Sequence, residues 1–319
     1  MSKNILVVGA AGQIGTELVM ELRKECGNEN VVAGDIRPAS DEIMASGPFA
    51  PMDITDLMRL EEIIERHEID TVYQMAALLS GTAEQKPQYA WHLNMTGLLN
   101  VLELAREGKI QKVYWPSSIA VFGPTTPKEQ TPQVTVCEPS TVYGISKLAG
   151  ERWCQYYHDR YGVDVRSIRY PGIISWKSKP GGGTTDYAVE IYYDALEKGS
   201  YTSFLGEGSR LPMMYMDDAI RATIELMKAP AEDVKIRSSY NLAAITFAPE
   251  EIAAAVAKEV PGFEIDYELD FRQAIANSWP SSIDDSPARE HWGWKHEFDL
   301  DKMTRTMLEN LRIKLSTGN

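Results

Sequence analysis

The sequence predicts an α/β protein built on a doubly wound, mostly parallel sheet, with a smaller α+β lobe. Three observations lead there. Short strands that are apolar throughout, such as Ile5-Leu6-Val7-Val8, alternate with amphipathic helical stretches as far as Tyr170. A glycine-rich turn, Gly9 to Gly15, joins the first strand to the first helix. Beyond Ile173 that rhythm stops, and helices interleave with isolated strands. Parallel strands are covered on both faces and so show no polar alternation, and repeated strand–helix–strand units wind into one sheet flanked by helices.

Each element has its own signal. Asn4 to Val8 is a compact apolar run, and Glu17 to Lys24 then places Leu18, Val19 and Leu22 at helical spacing. Val31 to Asp35 reads as a second strand ending in an acid, and a third precedes Met52-Asp53-Ile54. Asp56 to His67 lines Leu57, Leu60, Ile63 and Ile64 along one helix face. Thr71 to Met75, Lys112 to Trp115 and Val165 to Tyr170 read as further strands. Trp91 to Arg106 and Gly144 to Tyr161 are long helices. Lys177 to Asp186, with Pro180 and three glycines, is a loop. Helices follow at Tyr187 to Glu197, Asp217 to Lys228 and Pro249 to Val260, with strands at Tyr240 to Ala243 and Phe263 to Leu269. The expected division is residues 1–173 plus about 214–245 for the sheet, and about 174–213 plus 246–319 for the lobe.

Composition excludes several classes. The 319 residues carry a formal charge of −14, which disfavours nucleic acid and anionic membrane as partners. No apolar run is long enough for a membrane span. Cys26, Cys137 and Cys154 are scattered without a CxxC pair, so neither a disulfide framework nor a zinc site is expected, and reduced cytoplasmic thiols fit. His291 and His296 read as surface histidines near a helix end, and no metal is expected.

Gly9-Ala10-Ala11-Gly12-Gln13-Ile14-Gly15 is a GxxGxxG turn that follows a strand and opens a helix. Glycine lets the backbone turn tightly and approach a pyrophosphate, and the helix amino terminus offers free N–H groups. Asp35 closes the second strand about 20 residues later, where a carboxylate accepts from ribose hydroxyls and repels a 2′-phosphate. A Rossmann-type site for NAD is therefore expected, although Arg37 could accommodate the phosphate of NADP. FAD is a rival that the glycine spacing disfavours. Asp53 and Ile54 would border the adenine, and Ala76, Ala77 and Leu78 would let the dinucleotide lie against the sheet edge. Asn94, on the first long helix, could hold backbone near the site.

Tyr143-Gly144-Ile145-Ser146-Lys147 is a YxxxK stretch, and residues four apart share a helix face. An ammonium one turn away would stabilise a phenolate and lower a tyrosine pKa of roughly 10, so that Tyr143 could act as a base. Lys147 could also bind the nicotinamide ribose. Ser117 and Ser118 follow a strand's carboxyl end, the edge that faces a ligand crevice.

With Ser117-Ser118-Ile119-Ala120-Val121-Phe122-Gly123 and YxxxK together, the chain resembles the extended short-chain dehydrogenase/reductases, the group that contains UDP-galactose 4-epimerase. Phe122 departs from the tyrosine usual in that run. The resemblance spans nearly the whole chain and implies a triad of Ser118, Tyr143 and Lys147, a backbone contact from Ile173 to the nicotinamide amide, and a homodimer paired through the two long helices. Several segments resemble the threonine-dehydrogenase branch: Tyr170 to Ser175, Pro180 to Tyr187, Phe271 to Gln273, Ser278 to Pro280 and Ile283 to Asp285. That branch implies L-threonine as substrate. Ser80, Gly183 and Thr185 could then bind the amino acid's head groups beside Ser118 and Tyr143, and Trp279 could close the pocket. Gly181 to Gly183 would let the loop close as a lid. Two other readings stay open: a sugar-nucleotide epimerase or dehydratase, whose pyrophosphate Arg210, Arg237, Arg272 and Arg289 could hold, and a regulatory NAD-binding protein without catalysis.

Overall fold

The computed structural model describes residues 4–180 and 183–317, so Gly181 and Gly182 of the expected loop lie outside the described residues. The chain forms two compact units: residues 1–121, 139–169 and 220–240 make the first, and residues 122–138, 170–219 and 241–319 the second.

Along the chain the elements run β1 (Asn4–Val8), α1 (Gln13–Cys26), β2 (Val31–Asp35), α2 (Asp41–Ser46), β3 (Phe49–Pro51), α3 (Leu57–Arg66), β4 (Ile69–Gln74), α4 (Ser80–Gln85), α5 (Pro87–Arg106), β5 (Lys112–Tyr114), β6 (Ser117–Ser118), α6 (Val142–Tyr161), β7 (Asp164–Arg166) and β8 (Ile168–Tyr170). Six strands form one sheet in the order β3-β2-β1-β4-β5-β7, every pair parallel. The strand order reverses between β1 and β4, and the crevice outside the carboxyl ends at such a point is where ligands bind in doubly wound sheets. The expected fold class is borne out. Leu6, Val32, Val72, Val113 and Val165 of the sheet join Leu60, Leu98 and Leu102 of the helices in one core.

Local chemistry sets the helix ends. Asp56 accepts from Arg59 N–H at 3.0 Å at the start of α3, and Thr141 Oγ1 accepts from Gly144 N–H at 3.0 Å at the start of α6. α6 stops at Gly162, in the left-handed region at φ 73°, whose N–H donates to His158 O at 2.8 Å. The expected strand Val165 to Tyr170 is broken in two. Arg166 ends the pairing with β5, and the buried Ser167 turns aside, its hydroxyl bonded to Ser239 at 3.0 Å and its carbonyl accepting from Tyr240 N–H at 2.9 Å.

The second unit has β9 (Gly172–Ile174), α7 (Tyr187–Glu197), β10 (Ser200–Ser203) and β11 (Leu211–Tyr215). α8 (Met216–Lys228) and β12 (Tyr240–Asn241) straddle the boundary. β13 (Ile245–Phe247), α9 (Pro249–Glu259), β14 (Glu264–Tyr267), α10 (Arg272–Ser278), α11 (Ser286–Trp292) and α12 (Leu300–Thr317) complete it. β11 pairs parallel to β9 and antiparallel to β13, while β10 pairs with β14. Tyr187, Ile191, Tyr192, Phe247, Ile252, Met303 and Met307 are buried together. Among the described residues no helix is long and apolar enough to cross a membrane.

Candidate active site

The glycine turn is built by backbone. Gly9 sits at φ +88°, and its N–H and that of Ala10 donate to Gly34 O at 2.8 and 3.1 Å. A Cβ on Gly9 would lie 2.7 Å from Ala76 N, and one on Gly15 would lie 2.1 Å from Gly9 O. Both positions therefore accept only hydrogen, which lets α1 begin at Gln13, earlier than periodicity indicates. No side chain caps this helix start and no acid lies in its first turn, so its N–H groups and positive dipole end stay free for an anion.

Asp35 is buried at the end of β2. Its Oδ2 accepts from Ala11 N–H at 2.9 Å and its Oδ1 from Arg37 N–H at 3.0 Å. One carboxylate thus ties the glycine turn to the residues after β2, and each oxygen retains a lone pair for a further donor. Free N–H donors for a pyrophosphate beside a carboxylate acceptor for a ribose are what an adenine dinucleotide requires. Gln13 and Arg37 are exposed, and Ile14 is half-buried. Asp53 is exposed, closing a turn by accepting from Thr55 N–H at 2.9 Å, while Ile54 is buried.

Ala76, Ala77 and Leu78 follow β4 and are half-buried. Asn94 on α5 holds them: Oδ1 accepts from Leu78 N–H at 2.8 Å, and Nδ2 donates to Leu78 O at 3.2 Å and to Ser146 Oγ at 3.2 Å. Ser146 in turn donates to Tyr143 O at 2.7 Å. Asn94 therefore links the loop after β4 to the YxxxK helix.

Ser118 neighbours Tyr143, and its hydroxyl favours the ionised phenol. Ser118 Oγ also accepts from Ala120 N–H at 3.2 Å. Lys147 is buried, with Nζ donating to Pro116 O at 2.5 Å and lying 4.5 Å from the centre of the Trp115 ring and 5.5 Å from that of Tyr143. Burial pushes the Tyr143 phenol up to about 12, against the pull of the Ser118 hydroxyl. Burial also pulls Lys147 down to about 7, against the pull of Cys154 and Glu151. The spacing alone implies an ammonium that lowers the phenol; in the folded chain, loss of water raises the phenol and lowers the ammonium, because desolvation penalises both charged forms.

This has a measurable consequence for stability. Lys147 has a lower pKa folded than unfolded, so the unfolded chain holds more protons in between. Its penalty on the folded state is complete below about pH 7 and fades as pH rises towards 10.5, the ordinary lysine value. Lys147→Met is therefore expected to melt higher than the wild type at pH 6 and to lose that advantage by pH 10. A gap in melting temperature that does not depend on pH would refute this.

Ser80 begins α4, a short helix, and is half-buried. Ile173 lies in β9, facing Met214 in the pairing register. Thr185 is half-buried, its Cγ2 2.7 Å from where a Cβ on Gly172 would sit. Gly183 N–H donates to Asp186 Oδ2 at 2.7 Å. Trp279 caps α10 and packs on the core of the second unit. Of the four arginines considered for a pyrophosphate, Arg272 pairs with Asp270 at 2.7 Å, Arg289 with Asp285 at 2.6 Å, Arg210 with Glu251 at 2.7 Å and Arg237 with Asp164 at 2.5 Å. All four guanidiniums are thus engaged by carboxylates.

Sequence reasoning missed Glu151 and Arg169, a buried ion pair with Nη2 to Oε2 at 2.7 Å. The available signal was an acid four residues beyond Lys147, on the helix face that also carries Lys147.

Residues 5–243 match the NAD dependent epimerase/dehydratase family. An uncharacterized epimerase/dehydratase of Staphylococcus aureus (strain USA300) is 51% identical over 319 residues, covering 99% of both chains. The GalE-like L-threonine dehydrogenase from Cupriavidus necator, in its holo form, is 57% identical with a TM-score of 0.94 over 97% of this chain and 99% of that one. A monomeric L-threonine 3-dehydrogenase from a metagenome, in its apo form, is 48% identical with a TM-score of 0.91, again over 97% and 99%. With the glycine turn, Asp35 and the linked Ser118, Tyr143 and Lys147 in place, the chain belongs to the NAD dependent epimerase/dehydratase family, within the extended short-chain dehydrogenase/reductases.

Proposed function

We propose that the protein oxidises the β-hydroxyl of L-threonine to the ketone of 2-amino-3-ketobutyrate, with NAD taking the hydride. The observation that carries the reading is Tyr143 beside Ser118, with Lys147 one helix turn away, in a chain 57% identical to a protein described as an L-threonine dehydrogenase. NAD, when bound, supplies the hydride acceptor and a positively charged ring. In this reading Gly9, Gly12, Gln13, Ile14 and Gly15 receive the pyrophosphate, and Asp35 the ribose of the adenosine, with Arg37 beside it. Asp53 and Ile54 border the adenine, and Ala76, Ala77, Leu78, Asn94 and Ile173 serve the nicotinamide side. The first unit is thus the dinucleotide-binding part, and the second holds candidate substrate contacts.

Tyr143 accepts the proton of the threonine hydroxyl as the hydride leaves the β-carbon. Ser118 donates a hydrogen bond to the same oxygen, and Lys147 stabilises the phenolate and holds the nicotinamide ribose. Because burial raises the Tyr143 phenol, cationic charge beside it is what makes it a base near neutrality. Ser80, Gly183, Thr185 and Trp279 are the proposed contacts of the amino acid. The test is NADH absorbance from purified protein with NAD and L-threonine, with UDP-galactose and UDP-glucose in parallel. Interconversion of the sugar nucleotides without NADH from threonine would overturn the assignment. NAD binding without turnover of any of them would favour the regulatory reading. A threonine-consuming role in a reducing cytoplasm agrees with Cys26, Cys137 and Cys154 standing as thiols.

We also propose a homodimer through α5 and α6. Trp91, Ile145, Trp153, Tyr156 and Tyr161 are exposed on these helices at 39–48%. Clustered exposed aromatics of this kind mark a surface that gains by being covered. One relative is described as monomeric, so the state must be measured. Tyr156→Lys is expected to convert a dimer to monomer in sedimentation equilibrium, and a wild type that is monomeric at working concentration refutes the interface.

A further inference from the structure

We propose that Glu151 is a positioning residue of the catalytic centre: through Ser117 it holds the 115–118 segment against α6, and so sets where Ser118 stands. The inference rests on the reading of Ser118, Tyr143 and Lys147 as the reacting set.

Four consecutive residues after β5 each meet α6. The Trp115 ring occupies the space over Gly150, where a Cβ would lie 2.3 Å from Cη2. Pro116 O accepts from Lys147 Nζ at 2.5 Å. Ser117 Oγ donates to Glu151 Oε1 at 2.6 Å. Ser118 neighbours Tyr143. Tyr143, Lys147 and Glu151 are spaced by four, so one helix stripe receives the whole segment.

Packing alone does not call for a carboxylate here. Glu151 is fully buried at 0% exposure, and Ser117 at 1%. An apolar side chain would fill the same position without the desolvation cost of a charge. What the carboxylate adds is direction. It accepts three bonds: Ser117 Oγ and Arg169 Nε at 2.8 Å on Oε1, and Arg169 Nη2 at 2.7 Å on Oε2. The fork of Arg169 fixes the carboxylate plane, and that plane fixes the Ser117 hydroxyl. Arg169 also supplies the opposite charge that a buried carboxylate needs, in an ion pair at 2.7 Å. The next residue along the chain is Ser118. A catalytic hydroxyl tolerates little displacement, and its pose is inherited from its neighbour.

The test is a double-mutant cycle on Ser117→Ala and Ser118→Ala, with Glu151→Gln as a third variant. Ser117→Ala removes one oxygen and leaves the Glu151–Arg169 pair intact. It is expected to lower kcat for threonine by roughly ten- to a hundredfold, with KM, the Kd for NAD and the melting temperature nearly unchanged. In the Ser118→Ala background the same change should cost less than about twofold, because residues acting through one another are not additive. Additive losses, an unchanged kcat in Ser117→Ala, or a loss that follows a fallen melting temperature overturns the proposal. Should Glu151→Gln fail to fold, the serine cycle alone decides. Should the wild type leave threonine untouched, the functional reading fails, and the cycle is read instead on the ionisation of Tyr143. Tyrosinate absorbance of each protein minus its Tyr143→Phe counterpart isolates that group. Ser117→Ala should move its midpoint when Ser118 is present and not when it is absent; equal movement in both backgrounds overturns the inference.

Discussion

Replacing Tyr143 by phenylalanine is expected to lower kcat by roughly 10²- to 10⁴-fold while the protein still folds and binds NAD. The side chain keeps its ring, so the packing of α6 persists. What is lost is the only atom of the residue that can accept the substrate proton. The phenol is raised to about 12 by burial in the chain alone. Wild-type turnover should therefore climb with pH until enough phenolate is present, and the residual activity of Tyr143→Phe should lack that ionisation. Titration calorimetry with NAD separates the two parts of the claim. Loss of turnover with an unchanged Kd assigns Tyr143 to chemistry. Loss of both means that the ring oxygen also organises the cofactor site. Near wild-type turnover would remove Tyr143 from the mechanism and leave Lys147 or Ser118 as the proton acceptor.

Gly15→Ala is expected to weaken NAD binding by roughly tenfold to a hundredfold, the equivalent of the 1–3 kcal/mol typical of overpacking. The added carbon would lie 2.1 Å from the carbonyl oxygen of Gly9 and 2.9 Å from its carbonyl carbon. Backbone on both sides must then move apart, because no flexible side chain is there to give way. Movement at Gly9 breaks the register of its N–H and that of Ala10 with Gly34 O, and displaces Ala11 N–H from Asp35. The pyrophosphate cradle and the ribose acid are therefore disturbed by one methyl group. Fluorescence titration with NADH and a thermal melt decide it. A Kd within a factor of two of wild type would show that α1 can slide without cost, and that the glycine turn is not the binding element.

Much of this was legible in the residues. The apolar strands, the GxxGxxG turn and the acid after the second strand follow from local rules, because each needs only neighbours in sequence. Tyr143 and Lys147 were legible for the same reason, since four residues make one helix turn. Other features were not. α12 carries Met303, Met307, Leu308 and Leu311 on its buried face, a periodic signal present in the sequence and overlooked beside the stronger ones. The short strands β10, β11 and β13 carry no such signal, since three to five residues become strands only when a partner is beside them. The break at Ser167 is of this kind too, because nothing local in Val165 to Tyr170 says that its second half pairs elsewhere.

By itself the sequence determined the fold class, the dinucleotide fingerprint and the placing of Tyr143 and Lys147 on one helix face, all of which rest on spacing along the chain. Only the tertiary structure decided how those groups are held and charged. Glu151 and Arg169 are 18 residues apart, and Ser117 and Glu151 are 34 apart, so no local pattern joins them. The pKa directions of Tyr143 and Lys147 were likewise set by folding, for desolvation depends on what surrounds a group in space. Loss of water around both raises the phenol and lowers the ammonium, which the YxxxK spacing by itself does not show.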